Sequence, residues 1–113
     1  MDDLTIPQLQ KNIINVLQEY LEFLGSDPES ELQLIIDEHN HHYLLLEAGW
    51  HKNQRIYGSI IHLDIINNKI WVQQDGTEVG IANELVDLGV SPEQIVLGFK
   101  TLERRKITEF AVA

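Results

Sequence analysis

At 113 residues, with a net charge of −10 and no cysteine, the chain is predicted to be a single domain, 1–113, long enough to bury about two thirds of its unfolded surface. The composition excludes disulfide scaffolds and thiolate zinc sites, and no apolar run approaches the roughly 18 residues a transmembrane helix needs. The acidic start MDDLTIPQLQ is the reverse of a basic secretory leader, so a soluble, cytoplasmic protein without membrane association is expected.

Residues 5 to 24 repeat apolar side chains at three- and four-residue steps through Ile6, Leu9, Ile13, Val16 or Leu17, Tyr20 and Leu24, which predicts an amphipathic helix. Thr5 is its N-cap, Pro7 sits in its first turn and Gly25 stops it. A polar loop, Ser26 to Glu31, contains Asp27-Pro28. Glu31 to Glu38 then alternates as a strand, with Leu32, Leu34 and Ile36 on one face. Ile35 interrupts the polarity of the other face, as in a strand covered on both sides. His39-Asn40-His41-His42 is turn-like and leads to a strand over Tyr43 to Trp50. Lys52-Asn53 turns the chain into a third strand from near Arg55, in which Gly58 signals a bulge or a close backbone approach.

Ile61, Leu63 and Ile65 alternate with His62 and Asp64; Ile70 and Val72 alternate with Trp71 and Gln73. A tight turn at Asn67-Asn68 makes these runs a hairpin. The register then sets Leu63 against Val72 and Ile65 against Ile70 on one surface, with His62 against Gln73 and Asp64 against Trp71 on the other. Asp75-Gly76 ends the strand with Gly76 predicted at positive φ, and Thr77 or Asp75 caps a helix carrying Ile81, Leu85 and Leu88 up to Gly89. Ser91-Pro92-Glu93-Gln94 starts another helix, with Ser91 as N-cap, Pro92 in its first position and Gln94 closing a capping box. Ile107 to Ala113 is apolar and expected to dock. The sum is an α+β fold: an N-terminal helix, a four-stranded antiparallel meander, two short helices covering the sheet, and an apolar C-terminal segment.

Chemistry is sparse. Asp37, Glu38, His39, His41 and His42 crowd one turn, but they lack HExxH spacing and a distant further ligand, so a solvated turn is expected and no metal. His62 and Asp64 share one strand face, and His51, or Asp75 and Glu78, could complete an acid–base group for a small hydrolase. A hydrogen-bonded, half-buried surface or a subunit interface accounts for the same pair without catalysis. At Asp75-Gly76-Thr77 the free N–H groups of a helix start are already met by the negative charge of Asp75 and Glu78, which leaves no anion site. No GxGxxG, GxxxxGK[ST] or GxSxG pattern occurs, and neither a cofactor nor a catalytic residue is predicted.

Charge is unevenly spread. Residues 1–50 hold ten carboxylates and only Lys11, whereas residues 51–113 hold eight carboxylates and seven bases. Because duplex DNA is held largely by cations that displace counterions, the chain is not expected to bind it alone. Lys100, Arg104, Arg105 and Lys106 form the one basic cluster, suited to phosphate or to the acidic half of this chain or a neighbour. Trp50 and Trp71 fit sheet packing or, paired on one face, interface anchors. With the apolar C-terminus they predict a homo- or hetero-oligomer. Trp50, His62, Asp64, Trp71, Lys100, Arg104, Arg105 and Lys106 are the candidate interaction surface.

The run HLDIINNKIWVQQDGTEVGIANELVDLGVSPEQIVLGF and the ending TEFAVA resemble the XisI family, controlling factors for excision of the fdxN DNA element in cyanobacteria. KIWVQQDGTEVGIANELVDLG is the most specific part, because it joins strand, turn and helix in fixed order. The likeness runs from about Gln33 to Ala113 and is weaker over the first helix. Lys100 to Lys106 departs from it, with Thr101-Leu102-Glu103 where the family pattern carries proline. The resemblance implies a non-catalytic accessory factor that acts with a companion, XisH, while a separate recombinase cuts DNA. XisH-like proteins look nuclease-related, and the acidity of this chain suggests the alternative of an antitoxin-like regulator of such a partner.

Overall fold

The computed structural model describes residues 3–25 and 28–113. Ser26 and Asp27 of the expected loop lie outside the described residues. Helix α1, Ile6–Leu24, starts at a capping box: the Thr5 hydroxyl accepts from the Gln8 N–H, and the Gln8 side-chain oxygen accepts from the Thr5 N–H at 2.8 Å. Its buried residues, Leu9, Ile13, Val16 and Leu17, form the single stripe that helical spacing requires.

That stripe lies on the inner face of a five-stranded sheet of order β1-β2-β3-β4-β5, formed by β1 (Ser30–Asp37), β2 (His42–His51), β3 (Gln54–Ile66), β4 (Lys69–Asp75) and β5 (Ile95–Leu97). The first four strands are the predicted antiparallel meander. Two of its turns are made by residue pairs at positive φ, Lys52-Asn53 (47° and 68°) and Asn67-Asn68 (51° and 62°), the conformation a two-residue hairpin loop needs. Asp37 organises the other turn by accepting from the Asn40 N–H, from the Asn40 side-chain amide and from the His39 N–H, and these bonds, those of Asn40 foremost, hold its carboxyl below the usual carboxylate pKa.

The fifth strand replaces the second of the two predicted helices. After the Ser91 cap, Pro92–Gln94 makes one 3-10 turn, because the Gln94 side chain does not return to Ser91. It is buried instead, accepting from the Leu4 N–H at 2.9 Å and donating to the carbonyls of Leu4 and Asn68 at 3.0 and 3.1 Å. Thus pinned, the chain continues as Ile95–Leu97, an apolar stretch that pairs parallel to Ile70, Trp71 and Val72. Ala111 then bridges Val96 on the far side, and its N–H donates to the Ile95 carbonyl at 2.8 Å, which docks the end of the C-terminal segment as expected, whereas Ile107 at its start is 86% exposed.

Helix α2, Ile81–Asp87, starts later than Thr77, and Gly76 is not at positive φ. Asp75 takes over the start: its carboxylate accepts from the Thr77 N–H and hydroxyl and, at 2.9 Å, from the Ile81 N–H. Gly80, at φ 97°, makes the turn into the helix. Gly76 serves close packing, since a Cβ there would lie 3.0 Å from the Ile60 carbonyl. At the other end the Gly89 N–H donates to the Val86 carbonyl and the Val90 N–H to Leu85, a Schellman stop. Helix α3 is the single turn Leu102–Arg105.

Two bulges modify the predicted register. Ile60 is an extra residue against β2, which turns both Ile60 and Ile61 toward the core, and Gln73 is an extra residue in β4, so Gln74 rather than Gln73 lies opposite His62. The bulge expected in this strand near Gly58 lies two residues on, at Ile60, while Gly58 itself marks no close approach, as a Cβ there would meet nothing within 4 Å. The close approach is at Gly49, where a Cβ would lie 2.2 Å from the Glu29 carbonyl. Ile35 is 41% exposed because β1 is an edge strand whose outer side is open, not covered on both sides.

Candidate functional site

The outer face of the sheet, away from α1, carries a polar row across three strands: His42 in β2 pairs with Asp64 in β3, which pairs with Trp71 in β4. His62, two residues from Asp64, shares its face. Asp64 is only 7% exposed, and a carboxylate so buried needs donors. It has three. One oxygen accepts from His42 Nδ1 at 2.7 Å and from His62 Nε2 at 2.9 Å, while the other accepts from Gln73 Nε2 at 3.2 Å. The hydrogen bond to Asp64 and that carboxylate's charge raise the His42 pKa above its ordinary value. The two imidazoles meet edge to face, their centres 6.3 Å apart.

His42 is the residue that reading the sequence assigned to a turn. An unbulged hairpin closed by Lys52-Asn53 would set His42 opposite Leu63, facing the core; the bulge at Ile60 moves the pairing by one and sets it opposite Asp64. The suggested partners of His62 and Asp64 lie elsewhere. His51 pairs with Glu29 at the far end of β2, Asp75 caps α2, and Glu78 lines a cleft on the opposite side.

The basic cluster is divided. The Arg105 guanidinium stacks 5.3 Å from the Trp71 ring centre and donates to the carbonyls of Lys100 and Val112, so α3 and the C-terminal segment cover that end of the outer face. Lys106 pairs with Glu103 at 3.5 Å, Lys100 lies over the Phe99 ring, and Arg104 occupies the last turn of α3. Trp50 and Trp71 do not pair. Row Trp50–Arg55 lies eight residues along β2 from row His42–Asp64–Trp71, about 26 Å at about 3.3 Å per residue. Trp50 is 59% exposed and Tyr57 67%, with the Arg55 guanidinium 5.3 and 5.5 Å from their ring centres.

A cleft of about 710 Å³ lies between α1 and the start of α2, lined by Tyr20, Phe23, Ile60, Val79 and Glu84 among others. Burial, followed by the hydrogen bond with Glu84, raises the Tyr20 pKa. One oxygen of Glu84 is buried with no hydrogen-bond partner among the described residues.

No match was found among curated protein sequences. The XisI protein family model, in contrast, matches residues 1–112. The chain belongs to the XisI family. Among solved structures, this XisI-family chain is similar to a XisI-like protein from Anabaena variabilis ATCC 29413, at 38% identity and a TM-score of 0.91, over 96% of this chain and 100% of that one. It is also similar to the fdxN element excision controlling factor XisI from the same organism, at 34% identity and a TM-score of 0.86, over 96% of this chain and 98% of that one. The match includes the first helix, where the sequence resemblance was weakest. Among the described residues, no helix is long and apolar enough to cross a membrane.

Proposed function

We propose that this XisI-family chain is a non-catalytic controlling factor of site-specific DNA excision that acts through a XisH-like protein partner. The observation that carries the reading is the 34% identity, over 96% of the chain, to a protein named as an excision controlling factor. Charge supports protein contact over DNA contact. A net charge of −10 opposes phosphate, and Arg105, engaged with Trp71 and two carbonyls, leaves the basic cluster short of one of its four members. The exposed Trp50–Arg55–Tyr57 group supplies the side-chain types that dominate protein interfaces.

The partner is a XisH-like chain, bound in a hetero-oligomer through the Trp50 end of the outer face. Co-expression and size-exclusion chromatography test this: co-elution supports it, and separate elution at tens of micromolar opposes it. The acidic first half favours a second reading, an antitoxin-like restraint on a nuclease-like partner. Nuclease activity of the partner that falls on adding this chain supports restraint; unchanged activity alongside co-elution supports the controlling-factor reading.

A further inference from the structure

We infer that His42, His62 and Asp64 form a binding site for a divalent transition-metal ion of the zinc, cobalt or nickel type. The ligand atoms His42 Nδ1, His62 Nε2 and a carboxylate oxygen of Asp64 all lie within 4.8 Å of one another. Two imidazole nitrogens converge on a single carboxylate oxygen, at 2.7 and 2.9 Å. An ion bonded to each at about 2.0–2.2 Å in tetrahedral geometry needs its ligand atoms about 3.4 Å apart, so each nitrogen moves from that oxygen by less than about 1 Å. On binding, the proton each ring now places toward Asp64 leaves to solvent or to the ring's other nitrogen, and the freed lone pair bonds the ion.

Three further features suit a site. Gln73 holds the second carboxylate oxygen at 3.2 Å and so orients the first, as outer partners of metal ligands do. All three ligands stand on paired strands, which fixes their spacing better than a loop does. The histidines are partly exposed, His42 by 51% and His62 by 31% of their side chains, leaving a side open to water as a fourth ligand. Two nitrogens and one oxygen, with no thiolate and a single carboxylate, select imidazole-favouring ions over calcium or magnesium. The rest of the histidine-rich turn stays outside the site: His41 Nδ1 lies 3.3 Å from the Tyr43 hydroxyl, and among the described residues only His42, His62 and Asp64 bring ligand atoms together. This site is independent of the reading as a controlling factor.

The test uses the full chain freed of metal by chelator and carrying no histidine tag. Cobalt(II) is titrated by its visible absorption and zinc by calorimetry. One equivalent per chain is expected, with zinc displacing cobalt. His42→Ala and His62→Ala should each weaken binding by at least about tenfold, Gln73→Ala by about tenfold at unchanged stoichiometry, and His39→Ala not at all. Zinc should raise the melting temperature of the native chain and leave that of His42→Ala unmoved, a comparison that holds even where a variant is less stable. No cobalt absorption and no heat of zinc binding, or binding equal in the native chain and both histidine variants, would overturn the assignment.

Discussion

On the inner face of the sheet Tyr43, Leu45, Ile61, Leu63, Ile70 and Val72 are fully buried with the stripe of α1 and with Ile81 and Leu85 of α2; on the outer face the same strands carry His42, His62, Asp64 and Trp71. The inner residues gain free energy simply by leaving water, about 25 cal/mol for each Å² of apolar surface, with little regard to which apolar residue does so. The outer residues gain only through specific partners, since a buried carboxylate without its donors is a large cost. One face therefore specifies the fold and the other specifies a chemistry. Substitutions separate the two roles.

The largest effect belongs to the inner face. Leu63→Ala should lower the unfolding free energy by about 2–5 kcal/mol, seen as an earlier urea midpoint at unchanged slope. Asp75 holds the join between the sheet and α2, accepting from Thr77 twice and from Ile81, and Asp75→Ala should cost about 1.5–3 kcal/mol in the same assay. On the outer face Asp64→Asn should let the His42 pKa fall back toward about 6.5, as followed by imidazole proton shifts. Because the folded pKa of His42 is raised, its contribution to stability is complete below about pH 6.5 and is lost as pH rises through the folded value. Asp64→Asn should abolish that part of the decline in melting temperature as pH rises above about 6.5. The smallest effect on stability is at the open end of the same face. Trp50→Ala and Tyr57→Ala should each stay within about 0.5 kcal/mol of the native chain, because both side chains are mostly in solvent.

The same contrast decides what could be read from the sequence. The inner face was legible because its signal is periodic: the helix from Thr5 to Gly25, the turns at Lys52-Asn53 and Asn67-Asn68, and the pairs Leu63–Val72 and Ile65–Ile70 all lie where spacing and turn chemistry set them. β5 was missed because Ser91-Pro92 is a sound helix start, and only the long-range bonds of Gln94 to Leu4 and Asn68 stop it after one turn. The positive φ assigned to Gly76 belongs to Gly80, since Asp75 carries the cap over six residues to Ile81. His62 with Asp64 was visible as a two-residue spacing. His42 was hidden, because one extra residue at Ile60 decides whether it faces the core or Asp64, and a bulge inside a continuous apolar run leaves no mark on the periodicity.

The central claim is that the inner face only holds the fold while the outer face meets a protein partner. Its most direct test is calorimetric titration of a XisH-like protein into the native chain and into the double variant Trp50→Ala, Tyr57→Ala, with a thermal melt of each. The account predicts that the melting temperatures stay close while affinity falls by at least about tenfold, as for truncated aromatic residues in an interface. Equal affinity for the native and doubly substituted chains, or no binding by the native chain, would contradict it.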